Sequence, residues 1–190
     1  MKTIIFILLC FGIMLHAGAQ DDLSLSKKEI KRFQKEQRKL DQKAELERMG
    51  GITKWMVTSQ QFVLEANDLS DRYGNRVPVS STINFIMVDS STGVMQLGNA
   101  YSMGYNGVGG TTLEGRISEY KVRTIGKKKE AWSVSWTLSS TLGTYNISLT
   151  VSANGNADAS IRSNWPGNIN YHGNLVPISR ARIYKSSTTY

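Results

Sequence analysis

Three features of the sequence predict an all-β fold: an antiparallel up-and-down meander of about eight strands, curled into a barrel or half-barrel behind one N-terminal helix. The first is alternation. Trp132, Val134, Trp136 and Leu138 alternate with Ser133, Ser135, Thr137 and Ser139, and Tyr145, Ile147, Leu149 and Val151 alternate with Asn146, Ser148, Thr150 and Ser152. A period of two sends apolar side chains to one face of a pleated strand and hydroxyls and amides to the other. The second is punctuation. Asn154-Gly155 precedes Ala157, Ala159 and Ile161, and Trp165-Pro166-Gly167 precedes Ile169, Tyr171, Gly173 and Leu175. Asn-Gly suits a type I′ hairpin, whose two central residues both need positive φ. The third is order: consecutive hairpins need no crossover, which favours a barrel over the alternative, a Greek-key β-sandwich.

Residues 1–19 read as a secretory signal peptide and stand outside the fold. Lys2 precedes an apolar stretch from Ile4 to Leu15, followed by the small-residue site Ala17-Gly18-Ala19. That stretch is short for a membrane span. Cleavage there removes Cys10, the only cysteine, and His16, leaving His172 as the single imidazole. The mature chain then has no disulfide, no thiol nucleophile and no thiolate metal site. An exported domain without disulfides needs a core large enough to stand alone, and the remaining length suits one β-domain. The net charge is +8, or +7 once Lys2 leaves, which favours anionic envelope components over neutral partners. Export argues against nucleic acid.

Residues 20–51 read as a charged helix and linker, with the β-domain over 52–190. Ser26-Lys27-Lys28-Glu29 forms a capping box, and Gly50-Gly51 supplies a stop. Ile30, Phe33, Gln37, Leu40 and Ala44 make a narrow seam, suited to a loosely docked helix or to pairing with another copy. Ile52 to Ser59 reads equally as a last helical turn or a lead-in strand. Phe62 to Ala66, Ile83 to Val88, Val94 to Leu97 and Thr112 to Val122 are the next strands. On the last of these, Glu114, Arg116, Ser118 and Tyr120 share one side, and Leu113, Gly115 and Ile117 the other. Gly126 to Glu130 turns the chain into the central meander. Ile178 to Tyr184 reads as a final edge strand guarded by Arg180, Arg182 and Lys185, with a frayed tail beyond it.

Few residues invite chemistry. The loop with Gly104, Gly107, Gly109 and Gly110 enters a strand, not a helix, and lacks the Lys-Ser/Thr of a phosphate loop. Tyr101 and Tyr105 on it offer stacking faces. Trp132, Trp136, Tyr145 and Tyr171 share the inward face, where they either fill a small barrel or line a cavity. Glu65 and Glu114, on neighbouring strands, are the carboxylates that suit a glycosidase pair; solvated or ion-paired acids are the simpler reading. His172 sits on the polar face of its strand. One histidine without cysteine makes a poor zinc site, and no Gly-x-Ser-x-Gly elbow accompanies it. Neither a metal nor another cofactor is expected.

Four stretches carry a resemblance: Gln61-Phe62-Val63-Leu64-Glu65-Ala66; Asn84-Phe85-Ile86; Gly104-Tyr105-Asn106-Gly107-Val108-Gly109-Gly110; and Leu113-Glu114-Gly115-Arg116-Ile117. From about residue 50 onward the chain resembles a family of exported proteins from Bacteroides-like bacteria, domain of unknown function 4251. The resemblance implies a signal peptide and an envelope location, and supplies no activity and no site residues. The functional expectation is therefore a non-enzymatic periplasmic or surface β-domain. It would bind a small amphipathic ligand or a partner through Tyr101, Tyr105, Trp132, Trp136, Tyr145 and Tyr171, without being an integral membrane protein after cleavage. The alternatives are an assembly module using the N-terminal helix and, more remotely, a hydrolase using Glu65 and Glu114.

Overall fold

The computed structural model describes residues 26–99, 107–126, 130–163 and 167–189. The signal-peptide segment, Tyr101, Tyr105, Lys127 to Lys129 and Trp165-Pro166 lie outside them. The chain divides into two units, residues 1–39 and 40–190. Helix α1 (Lys27–Ser59) opens as its sequence requires. Glu29 Oε2 accepts from Ser26 N–H at 2.9 Å, while Ser26 Oγ takes the Lys28 N–H at 3.4 Å.

Nine strands follow: β1 (Gln61–Asp71), β2 (Arg76–Pro78), β3 (Phe85–Asp89), β4 (Thr92–Leu97), β5 (Thr111–Ile125), β6 (Ala131–Ser140), β7 (Gly143–Ser152), β8 (Asn156–Ser163) and β9 (Asn168–Val176). All pairings are antiparallel, and β1 pairs with both β3 and β9, so eight strands close into an up-and-down barrel. The short β2 is an extra strand against the far end of β1. The barrel, not the sandwich, is the architecture.

The alternation predicted for the meander sets its register. Trp136 stands opposite Ile147, Ile147 opposite Ile161, and Ile161 opposite Ile169. The next row is Val134, Leu149, Ala159 and Tyr171. These side chains point inward and meet Phe62, Leu64, Ile86, Val88 and Leu113 in one core. Trp132 is 7% exposed, Trp136 3% and Ile147 2%, so the tryptophan side is the inside. Phe62 packs edge-on to Trp136 at 6.0 Å between ring centres. Fully burying a side chain of this kind contributes about 1.5–3 kcal/mol, which is how a chain with one cysteine stands without disulfides. Where β9 crosses β1, a Cβ at Gly173 would lie 1.9 Å from the carbonyl oxygen of Glu65, so only glycine permits that approach.

Several local expectations are overturned. The Asn154-Gly155 turn is a three-residue loop, with positive φ at Gly155 (87°) and not at Asn154, so it is not type I′. The helix does not stop at Gly50-Gly51 but runs on to Ser59, which also decides the ambiguity over Ile52 to Ser59. β5 carries an extra residue between Ser118 and Lys121, where Glu119 takes φ 54°. This bulge reverses the parity of the residues beyond it. Tyr120 therefore turns inward instead of joining Glu114 and Arg116. Its ring lies 6.1 Å from that of Trp136, and its hydroxyl donates to the Val57 carbonyl at 2.7 Å, tying down the C-terminal turn of α1.

The C-terminal segment differs most. Ile178–Arg180 is a 3-10 turn, not an edge strand, and the tail beyond it is anchored, not frayed. It forms a strap over the outside of the barrel. Val63, Phe85 and Val94 point outward there and are covered by Val176, Ile178, Ala181 and Ile183. The buried amide of Gln96 carries the anchorage: Nε2 donates to Ile83 O (3.2 Å) and Tyr184 O (2.9 Å), and Oε1 accepts from Thr112 Oγ1, Ser186 N and Ser186 Oγ at 3.0–3.1 Å. Thr189 N–H then donates to Thr112 O at 2.9 Å.

Gln96→Leu keeps the volume but strands these partners in a dry interface. A loss of about 3 kcal/mol is expected, read as a lower urea midpoint, with the strap made protease-sensitive. A second prediction concerns Tyr171, which is fully buried and donates to the Gln96 carbonyl at 3.0 Å. Burial pushes its phenol up, so the folded chain keeps a proton that the unfolded chain releases above pH 10. Stability therefore falls as pH rises past that point. Tyr171→Phe should cost about 1 kcal/mol at neutral pH, and pH-dependent melts should show a shallower alkaline decline.

Candidate functional site

The second half of α1 runs through its own glycine pair. Two glycines inside a helix cost roughly 1 kcal/mol each relative to alanine, so their presence asks for a use. At Gly50 a Cβ would stand 3.5 Å from Ala153 Cβ, an ordinary van der Waals distance, so this position faces the β7–β8 turn with room for an alanine. Thr53 Oγ1 reaches the Ala153 carbonyl at 3.4 Å on the same side, and Met56 and Val57 continue that buried face into the core. At Gly51, by contrast, a Cβ would meet nothing within 4 Å.

That open position lies in a recess of about 480 Å³ lined by Arg48, Gly51, Ile52, Trp55, Pro177, Ser179 and Arg180. Positions 48, 51, 52 and 55 follow i, i+3, i+4, i+7 and so share one helical face. Trp55 is 51% exposed, a large apolar surface left to solvent beside Ile52 and Pro177. The recess is rimmed by cations. Arg48 is engaged with Glu45 through two contacts, at 2.9 and 2.6 Å, whereas Arg180 makes no ion pair among the described residues. An apolar floor beneath an available guanidinium can hold a molecule with a greasy body and an anionic head. No motif pointed to this site. The spacing of Arg48, Ile52 and Trp55 becomes visible only once the helix is known to continue through the glycines.

A smaller recess of about 430 Å³ lies between Leu46, Ile125, Gly126, Glu130 and the Ala153 turn. A third, of about 380 Å³, sits on the outer face of β5–β8 and is lined by Glu119, Lys121, Ser135, Thr137, Asn146, Ser148, Ser160 and Arg162, with Trp136 and Ile147 beneath.

Four of the six aromatic residues expected to bind are placed in or against the core. Trp132, Trp136 and Tyr171 are buried and Tyr145 packs against the same cluster. The structure brings these four together with aliphatic neighbours filling the space between them.

His172 is held between Asp158 and Ser70. Its Nδ1 lies 2.6 Å from Asp158 Oδ1, and its Nε2 lies 3.0 Å from Ser70 Oγ. The atoms are those of a Ser-His-Asp relay, but their surroundings are structural. Ser70 is 7% exposed, its Oγ accepts from Asn170 Nδ2 at 3.2 Å, and the next backbone N–H, that of Asp71, donates to Asn75 O at 3.2 Å. An oxyanion would find that amide occupied. The three side chains instead tie β8, β9 and β1 together across the closure of the barrel. Nearby, Arg76 Nε stands 2.9 Å from Asp68 Oδ1 but off the line of a hydrogen bond, so that contact is ionic only.

The two carboxylates weighed for hydrolysis are also structural anchors. Glu65 Oε1 accepts the Arg182 N–H at 2.6 Å. Glu114 Oε2 accepts from Lys185 Nζ at 2.8 Å and Thr188 Oγ1 at 3.3 Å, and the Lys185 hydrogen bond holds its carboxyl below the usual range. Both grip the strap, and Glu114 does not pair with Arg116. Among the described residues, no group of three or more His, Cys, Asp or Glu is placed to hold a metal. No described helix is long and apolar enough to cross a membrane.

Comparison with known proteins agrees with this architecture. No curated protein matches the chain. Among solved structures, the chain is similar to a DUF4251 family protein from Bacteroides eggerthii DSM 20697, with 29% identity over 70% of this chain and 90% of that one, and a TM-score of 0.59. The family model described as "Domain of unknown function (DUF4251)" matches residues 45–175, from the second half of α1 to the end of β9. With more than half its length so matched, the chain belongs to the DUF4251 family.

Proposed function

We propose that this protein is a non-catalytic binding module of the cell envelope or its exterior, and that the recess beneath Trp55 takes a small anionic amphiphile. The single observation that carries this reading is Trp55, half-exposed beside Ile52, Pro177 and Arg180 around about 480 Å³ of space. That volume lies within the range of small-molecule sites. Gly51 supports the reading, because its missing side chain keeps the recess open at a cost to the helix. The sequence of residues 1–19 supports export, and the net charge of +8 favours anionic ligands over cationic ones.

Dodecanoate and dodecyltrimethylammonium separate head group from tail. Calorimetric titration of the signal-free chain should give saturable binding of the anion and none of the cation. Gly51→Leu fills open space without touching the core, so it should fold normally and weaken dodecanoate at least tenfold, about 1.4 kcal/mol. Arg180→Gln should do the same by removing the head-group contact. Undiminished binding in both variants, or equal binding of the two detergents, rejects the proposal.

Assembly through α1 is the second reading, favoured by Ile30, Phe33 and Leu40, which are 41%, 61% and 55% exposed. On that reading Phe33→Glu shifts sedimentation from a larger to a smaller species. A monomer before and after the substitution removes it.

A further inference from the structure

The barrel's outside is divided. Over β1, β3 and β4 it is apolar and covered by the strap, whereas over β5–β9 it carries short polar side chains in register. One row runs Lys121, Ser135, Ser148, Ser160 and Asn170, each opposite the next. The row beside it runs Ser118, Thr137, Asn146, Arg162 and Asn168. The 380 Å³ recess lies over the first four strands of this grid. Strands are about 4.8 Å apart, so its footprint spans three spacings, roughly 14 Å, by about 7 Å between rows.

Its chemistry is specific. Lys121 marks the β5 side and Arg162 the β8 side, with hydroxyls and one amide between them. Neither cation, nor Glu119, makes an ion pair among the described residues. Thr137 Oγ1 donates to Asn146 Oδ1 at 3.1 Å, so the Asn146 amide keeps its NH₂ group as a donor. Trp136 and Ile147 turn their side chains into the barrel, so beneath the recess they present backbone, where the bulge opens the β5–β6 ladder.

Glu119 is one of three non-glycine residues with positive φ among the described residues, the others being Gln60 and Ser90, and of the three it alone lines this recess. Its φ of 54° is a conformation that glycine adopts freely and glutamate does not. The bulge itself is accounted for, because it turns Tyr120 inward to hold the end of α1. A glycine at the extra position would do that with less strain, as bulges of this kind commonly have. What the glycine would lack is a carboxylate at the edge of the recess. Strain kept in place of an available relief points to a use for the side chain.

We propose that the outer face of β5–β8 around Glu119 is a second binding site, separate from the Trp55 recess, and that it takes an acidic oligosaccharide. The hydroxyl and amide rows match sugar hydroxyls, Glu119 accepts from them, and Lys121 and Arg162 receive carboxylate or sulfate groups some distance apart along one chain. The length of the footprint favours several linked rings over one sugar.

Trigalacturonate and the neutral maltotriose are the probes, titrated calorimetrically into the signal-free chain. Trigalacturonate should bind and maltotriose should not. Arg162→Gln and Lys121→Gln should each weaken trigalacturonate at least tenfold, while Lys54→Gln, an exposed cation elsewhere, should leave it unchanged. Glu119→Gly should raise the melting temperature and yet weaken binding several-fold, a pairing that a purely structural bulge does not produce. Gly51→Leu should not alter trigalacturonate binding, so failure of the Trp55 site and failure of this one are distinguishable. Absence of binding at millimolar trigalacturonate overturns the proposal. So does an equal loss with Lys54→Gln, which indicates diffuse attraction of a polyanion, or a Glu119→Gly variant that binds as tightly as the parent chain.

Discussion

The structure depends on β1 accepting two partners along its length. β3 occupies one edge from Gln61 to Glu65, and β9 lies along the other from Val63 to Asp71. Without the second pairing the sheet would have two open edges and a half-exposed apolar face. With it, every inward side chain of the meander meets another across the barrel. Gly173 permits the close approach at this seam. The Asp158–His172–Ser70 line fastens it from outside, which gives His172 a structural role. The same closure makes the interior small, so Trp136, Tyr171 and Phe62 serve as packing and the open recesses lie on the surface.

Closure also creates the contrast between the two sides of the exterior. Strands β6–β8 alternate strictly and expose only polar groups. This is the reverse of a barrel that faces lipid, whose outward band is apolar. Strands β1, β3 and β4 are apolar on both faces, and the C-terminal strap covers the surplus. Gln96 resolves the resulting difficulty of polar backbone in a dry interface by satisfying the strap's own donors and acceptors. Glu65 and Glu114, which in isolation suggest hydrolysis, belong to the same fastening.

Much of this was legible in the chain. The alternation from Trp132 to Val151 specified both faces of β6 and β7, because a period of two admits only one inward set. Phe62, Val63 and Leu64 stand consecutively, so an apolar second face of that strand is visible in the residues as well, though not what covers it. Less legible were the features that depend on a distant partner. The tail reads as frayed because Ser-Ser-Thr-Thr has no apolar pattern, and only Gln96, far away in sequence, makes Ser186 buried. Gly50-Gly51 reads as a stop because local propensity says so; burial of Thr53, Met56 and Val57 against the barrel, with Tyr120 on the Val57 carbonyl, keeps the helix going. Tyr120 reads as outward because parity was counted without the extra residue at Glu119.

By itself, the sequence determined the strand-rich class, the meander order and which tryptophans lie inside, since periodicity and turn chemistry are local properties of neighbouring residues. Tertiary structure alone decided the seam between β1 and β9, the strap, the continuation of the helix, and the recesses at Trp55 and Glu119. Each of those is a contact between residues far apart in the chain. Their free energy is set by the shape and polarity of a surface that does not exist until the barrel has closed.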